Sequence, residues 1–92
     1  MKKRIECKVI GRVQMVMYRD FACRKAAKLG LRGMVKNNDD GSVTVIAEGE
    51  EDTLMVYMND LNQGPVLANV EHIEVVWGDN KDEFSQFRIV YK

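Results

Sequence analysis

Two spacings of hydrophobic residues divide the sequence. In some stretches hydrophobic and polar residues alternate, which is typical of strands that bury one face. In two others hydrophobic residues recur every three or four positions, which is typical of amphipathic helices. The predicted elements, in chain order, are a strand over 4–13, a helix over 20–30, strands over 31–37 and 42–49, a helix over 51–62, a strand over 69–77 and a short strand at the end of the chain.

Each predicted element has a hydrophobic face, and the turns between elements carry Gly or Pro. The residues that share one face of their element are Ile5, Cys7 and Val9; Ala22, Ala26 and Leu29; Leu54, Met58 and Leu61 with Tyr57 beside them; Ile73, Val75 and Trp77; and Phe87, Ile89 and Tyr91. Gly30 and Gly64-Pro65 predict helix ends, and Asp40-Gly41 predicts a hairpin. The order βαββαβ plus a short C-terminal strand predicts an α+β fold, a ferredoxin-like α/β sandwich whose antiparallel sheet carries two helices on one face.

Length and composition narrow the class of protein. The 92 residues predict a single domain, and 46% hydrophobic residues predict a globular one. Basic and acidic residues balance at 14 each, and the predicted central strands over 4–13 and 42–49 contain no aromatic residue on which a base could stack. We therefore predict no nucleic-acid partner. No apolar run is long enough to span a membrane, so no membrane partner is predicted either.

The cysteines and the N-terminal residues bear on the compartment. The start, MKKRIE, has no apolar segment of the kind that a secretory signal requires. Cys7 and Cys23 form no CxxC pair and have no histidine nearby, so two buried free thiols are expected rather than a disulfide. The sequence predicts a cytoplasmic protein.

Most of the reactive side chains have ordinary structural interpretations. A zinc site needs about four ligands, and the only histidine is His72, in the middle of a predicted strand. Asp39 and Asp40 lie in the predicted hairpin, where we expect them to form the turn. No metal site is predicted.

One loop has the ingredients of an anion site. Residues 14–18, QMVMY, join the first strand to the first helix, and Arg19 follows. Backbone N–H groups at a helix start can converge on an anion, and a guanidinium offers a planar fork of donors. A simple connecting turn followed by an arginine fits the same residues. Asn37, at the end of the second strand, is either a turn stabiliser or a second polar group of the site, and spacing alone does not show that it faces Arg19.

Two motifs carry a family resemblance. The segment GRVQMVMYR resembles the acylphosphatase motif G-x-V-Q-G-V-x-F/Y-R, and GMVKNNDDGSV resembles that family's G-W-V-x-N-x-x-D-G-x-V. The acidic second-helix segment, its Gly-Pro end and the tail FSQFRIVYK are also similar. The resemblance covers nearly the whole chain, so residues 1–92 are expected to form one acylphosphatase-like domain.

The resemblance implies a reaction and a set of residues. The reaction is hydrolysis of the carboxyl-phosphate bond of small acyl phosphates to carboxylate and inorganic phosphate. Arg19 matches the phosphate-binding catalytic arginine, and Asn37 matches the asparagine that orients the attacking water. The phosphate-binding loop corresponds to Gln14, Met15, Val16, Met17 and Tyr18.

The same resemblance implies what accompanies the reaction. No metal and no cofactor is expected. The expected partners are a small-molecule acyl phosphate as substrate and inorganic phosphate, or a similar anion, as product or inhibitor. The protein is expected to be a monomer.

The chain departs from the family pattern at two positions. Met15 stands where the motif has Gly, and Met34 where it usually has an aromatic residue. If the backbone at residue 15 has positive φ, a side chain there costs about 1–2 kcal/mol. If φ is ordinary, Met15 can project away, and its bulk can also narrow the mouth of the site. The alternative function is a catalytically weakened acylphosphatase-like domain that binds anions.

Overall fold

The computed structural model describes residues 1–91. Seven elements follow the predicted order. They are β1 (Lys2–Arg12), α1 (Tyr18–Lys28), β2 (Arg32–Asn37), β3 (Val43–Glu50), α2 (Glu51–Gln63), β4 (Asn69–Asp79) and β5 (Phe87–Val90). The strands form one sheet in the order β4-β1-β3-β2-β5. The predicted ferredoxin-like sandwich is confirmed, with β1 and β3 at the centre of the sheet.

The hydrophobic core lies between one face of the sheet and the two helices. Alternate residues of β1, Ile5, Cys7 and Val9, are buried, as their spacing predicts. Helix α1 packs against β2 and β5, and α2 packs against β3 and β4. Both helices therefore cover the same sheet face. Neither helix is long and apolar enough to cross a membrane, in the part of the chain that the structure describes.

The ends and directions of some elements differ from the sequence expectations. Helix α1 begins at Tyr18 rather than at residue 20, and β4 continues to Asp79. The pairs β1–β3, β1–β4 and β2–β3 are antiparallel as expected, whereas β5 runs parallel to β2. Gly30 has φ +73° and follows α1, so its predicted role in ending the helix is confirmed.

A buried ion pair fixes the segment between β4 and β5 on the sheet face away from the helices. Arg4 and Glu48 are both buried there, 3.0 Å apart between Nη1 and Oε2. The same Arg4 nitrogen donates to Glu83 Oε1 at 2.5 Å, and the backbone N–H of Lys81 donates to Glu48 at 2.9 Å. These bonds hold residues 80–86 in place, and the chain then enters β5 beside β2.

Candidate active site

The loop that precedes α1 begins at a bulge in β1. The β1–β4 register shifts between Ile10 and Gly11. Gly11 has φ +138°, and a Cβ there would collide with the backbone carbonyl of Asn69. Only glycine fits this close approach of two strands. The bulge turns the chain out of the sheet and towards the helix.

Buried side chains and one amide then anchor the loop. Val13, Val16 and Tyr18 are buried in the core, and the Tyr18 hydroxyl donates to the Leu61 carbonyl at 2.6 Å. Burial raises the pKa of Tyr18 well above its ordinary value. Tyr18 therefore contributes its side chain to the core, and only its backbone is available to the loop.

The Gln14 side chain ties the loop to the β2–β3 hairpin. Its Nε2 donates to the carbonyls of Asn38 and Ser42, at 2.8 Å each. Since Asn37 ends β2 directly before Asn38, this bridge places the loop beside Asn37. Gln14, which is expected to belong to the phosphate-binding loop, therefore uses its side chain to hold that loop in place.

The exposed residues of the loop have a left-handed backbone. Met15 has φ +62° and Met17 has φ +65°, and Met17 is the N-cap of α1. Within residues 1–91, the backbone N–H groups of residues 15–20 donate to no acceptor, and the first to do so is that of Phe21, to the Met17 carbonyl at 3.1 Å. A left-handed residue next to a helix start directs successive N–H groups to one side of the chain. The loop is thus a set of donors suited to an anion.

An open pocket of about 300 Å³ lies between this loop, the end of β2 and the end of β5. Its lining residues are Val13, Met15, Met17, Tyr18, Arg19, Asp20, Asn37, Ile89 and Tyr91. Arg19 and Asn37, whose proximity the sequence left open, both line it. The structure therefore brings the two candidate residues to one site.

Arg19 supplies positive charge to the pocket without being held by a carboxylate of the described chain. Its guanidinium carbon lies 5.0 Å from the ring centroid of Tyr91. The neighbouring Asp20 also lines the pocket, but its Oδ2 is 2.8 Å from Arg24 Nε. Because Arg24 engages Asp20, and because Arg19 lies in the first turn of α1, the local potential favours an anion.

Asn37 points its carboxamide into the covered side of the sheet. It shares a face with Val35, two residues earlier, and it pairs with Val43 in the register. Its Oδ1 is buried and has no hydrogen-bond partner among residues 1–91. A buried carbonyl oxygen without a partner is costly. Asn37 thus lines the pocket with a carboxamide whose hydrogen bonding is incomplete.

The hairpin after Asn37 is rigid. The Asn38 amide donates to Ser42 Oγ and Thr44 Oγ1, at 2.9 Å each. Asp40 accepts from the Ser42 backbone N–H at 3.0 Å, and its Oδ2 lies 3.0 Å from Lys8 Nζ. The Ser42 hydrogen bonds, with Lys8, hold the pKa of Asp40 well below its ordinary value of 3.8. Asp40 is thus a turn former, as its place in the sequence predicted.

The remaining sequence candidates lie outside the pocket. His72 is exposed on β4, and Asp39 is exposed in the hairpin. Both cysteines are free, as predicted, but only Cys7 is buried, whereas Cys23 is partly exposed. The expectation of two buried thiols is therefore wrong for Cys23, which lies off the inner stripe of α1. Burial raises the pKa of Cys7 to about 12, so this thiol stays protonated.

The sequence reasoning missed two contributions to the pocket. The first is the wall formed by Ile89 and Tyr91 at the end of the chain. Their alternation predicts a strand, but only the parallel pairing of β5 with β2 brings them beside Asn37. The second is the positive φ of Met17. No residue type at that position indicates it, since glycine is absent there.

These features define a class of protein: a ferredoxin-like α+β domain with a pocket, at the start of its first helix, whose donors suit an anion. Comparisons with known proteins identify the family. A sequence model described as acylphosphatase matches residues 5–89. The chain is 41% identical to an acylphosphatase of Salinibacter ruber over 96% of this chain and 93% of the relative, and 50% identical to one of Thermus thermophilus over 83% and 86%.

A solved structure agrees with these matches. The crystal structure of acylphosphatase from Bacillus subtilis superposes with a TM-score of 0.93 at 36% identity, over 97% of this chain and 99% of that one. The chain belongs to the acylphosphatase family. It is an enzyme that hydrolyses acyl phosphates, and the resemblance of its two motifs is confirmed. The alternative of a weakened anion-binding domain is not favoured.

Proposed function

We propose that Arg19 and the backbone amides of residues 14–18 hold the phosphoryl group of an acyl phosphate, and that Asn37 places the attacking water. The observation that carries this proposal is the single pocket lined by both Arg19 and Asn37. Residues of the loop and Asn37 line the same space. Phosphoryl transfer depends mainly on positioning and on stabilisation of spreading charge, which are the two properties that this pocket offers.

Arg19 neutralises the phosphoryl oxygens as charge spreads over them. Its planar guanidinium suits two oxygens at once, and packing on the Tyr91 ring restricts its orientation. The engagement of Asp20 by Arg24 leaves Arg19 available for the substrate. The unpaired N–H groups of the loop add preorganised donors that need no rearrangement during the reaction.

Asn37 accepts a hydrogen bond from the water. Its buried Oδ1, which has no partner in the described chain, gains one when water binds. The water then attacks phosphorus, the bond from phosphorus to the acyl oxygen breaks, and the electron pair leaves on the carboxylate. A carboxylic acid has a pKa of about 4, so this group departs without a proton. Because a carboxamide is a poor base, the proton of the water goes to a phosphoryl oxygen of the substrate.

The other parts of the proposal extend the sequence expectations. The reaction uses no metal and no cofactor, because its leaving group needs no activation. Inorganic phosphate, the product, competes for the same loop. Residues 1–92 act as one acylphosphatase-like domain and as a monomer. A cytoplasmic location agrees with two cysteines that remain free thiols.

Substitution of Arg19 tests the proposal. Arg19→Ala should abolish hydrolysis of an aryl acyl phosphate and also inhibition by inorganic phosphate, with and without a chelator. Arg19→Lys should recover little of either, because an ammonium lacks the planar fork. Arg88→Ala is the matched control, since Arg88 is exposed on β5 and adjacent to Ile89, on the opposite face of the strand. Normal phosphate inhibition in a folded Arg19→Ala variant would remove Arg19 from the site.

A further inference from the structure

The pocket has an apolar mouth that phosphate binding does not explain. Apart from its polar residues, it is lined by Val13, Met15, Met17, Ile89 and Tyr91. Met15 is 99% exposed and Met17 is 68% exposed, although both are large and hydrophobic. Their backbone N–H groups suffice for an anion, so the side chains are free for another contact.

The geometry of the reaction places the acyl group at this mouth. In-line displacement puts the attacking water and the leaving group on opposite sides of phosphorus. The proposed water position is at Asn37 Oδ1, which is buried. The leaving carboxylate and the group that it carries therefore extend towards the exposed end of the pocket, where the side chains of Met15 and Met17 lie.

The charges of the pocket disfavour a second anion on the acyl group. Arg19 is the only cationic side chain among the described lining residues, and the phosphoryl group occupies it. The other charged lining residue, Asp20, is acidic. An additional carboxylate on the substrate would find no positive partner in the lining, because the phosphoryl group occupies Arg19 and Arg24 is engaged by Asp20.

We propose that Met15 and Met17 form a flexible acyl-binding rim, and that the enzyme prefers acyl phosphates with an uncharged, apolar acyl group. This inference rests on the proposed roles of Arg19 and Asn37, which fix the direction of the leaving group. Methionine is unbranched and polarisable, so two of them adapt to acyl groups of different shape. Met15 thus does not narrow the site, because its side chain points to solvent beside the mouth.

Chain-length dependence tests the rim. We would measure kcat/KM of the wild type for acetyl, butanoyl, hexanoyl and succinyl phosphates, after subtraction of spontaneous hydrolysis. A fully buried methylene is worth about fourfold, and in an open rim we expect kcat/KM to rise about tenfold in all from acetyl to hexanoyl phosphate. Succinyl phosphate should be hydrolysed about tenfold less efficiently than butanoyl phosphate, since its free carboxylate finds no cationic partner in the pocket.

The double variant Met15→Gln, Met17→Gln assigns the preference to the rim. Glutamine keeps the length of methionine and its unbranched Cβ, so the left-handed loop is matched while the contact becomes polar. The ratio of hexanoyl to acetyl kcat/KM should fall to within about twofold of one. Met55→Gln, on the exposed side of α2, should keep the wild-type ratio. Inhibition by inorganic phosphate in each variant reports whether the loop still binds the anion.

The outcomes separate this inference from the proposed function. A wild type that hydrolyses acetyl and hexanoyl phosphates equally well would overturn the rim and leave the roles of Arg19 and Asn37 intact. A double variant that keeps the wild-type ratio would show that the two methionines do not contact the acyl group. A wild type that hydrolyses none of these substrates would contradict the proposed function, and the rim with it.

Discussion

Replacing Met15 by glycine should stabilise the protein. Met15 has φ +62°, in the left-handed region, and its side chain is 99% exposed. The substitution therefore relieves backbone strain and removes almost no buried surface. A left-handed conformation costs a residue with a Cβ about 1–2 kcal/mol. Glycine also gives the unfolded chain more conformational freedom, which lowers the free energy of unfolding by about 0.4–1 kcal/mol and offsets part of this gain.

The expected net effect is a rise of about 0.5–1 kcal/mol in the free energy of unfolding. For a domain of this size that corresponds to a Tm higher by about 2–8 °C. Urea denaturation measures the free energy directly, and an unchanged m-value would show that only stability has moved.

Met55→Gly is a matched control for which we expect the opposite change, a decrease in the free energy of unfolding. Met55 is also an exposed methionine, but it lies inside α2, where glycine costs about 1 kcal/mol relative to a good helix former. The same substitution, methionine to glycine, is therefore expected to raise the free energy of unfolding at residue 15 and to lower it at residue 55. If Met15→Gly destabilised the protein as Met55→Gly does, the loop backbone would not be left-handed at residue 15. The converging N–H donors derived from that backbone would then be wrong.

Two further predictions concern the supports of the site. Gln14→Ala removes both hydrogen bonds to the carbonyls of Asn38 and Ser42. It should therefore lower the free energy of unfolding by about 1–3 kcal/mol and weaken inhibition by phosphate. Unchanged inhibition would mean that the loop holds its shape without Gln14. Asp40 has a pKa held below 3.8 in the folded state by Ser42 and Lys8, so its contribution is present above that pH and is lost as the pH falls below it. Urea titrations between pH 5 and pH 2.5 should therefore show that the free energy of unfolding falls less steeply with decreasing pH for Asp40→Asn than for the wild type. Equal slopes for the two proteins would refute this.

Much of the fold follows from local patterns. The alternation of Ile5, Cys7 and Val9 indicated the buried face of β1, and Gly30 indicated the end of α1. Tyr18 could also have been placed in the core, because it precedes Ala22 and Ala26 on the same helical stripe. The predicted helix begins at residue 20, two residues after the observed start, so Tyr18 falls in the predicted loop.

The assembly of the site depends on contacts that local patterns do not contain. Because Asn37 lies two residues after Val35 on the same strand, the sequence indicates which sheet face Asn37 occupies. It does not indicate that the loop before α1 crosses above Asn37. That crossing requires the bulge at Gly11 and the bridge from Gln14 to the hairpin. Similarly, Tyr91 reaches Arg19 only because β5 adds in parallel to β2. Pairings between distant parts of the chain decide these positions.

If Arg19 binds the phosphoryl group while Asn37 positions water, the variant Asn37→Ala should separate the two roles. The measurement is kcat with an aryl acyl phosphate together with the inhibition constant of inorganic phosphate, in the wild type and in Asn37→Ala. We expect kcat to fall by about 100-fold or more, because the water loses its alignment. The phosphate inhibition constant should stay within about threefold, since the anion is held by other groups. A parallel loss of phosphate inhibition, or a kcat close to that of the wild type, would contradict this division of roles.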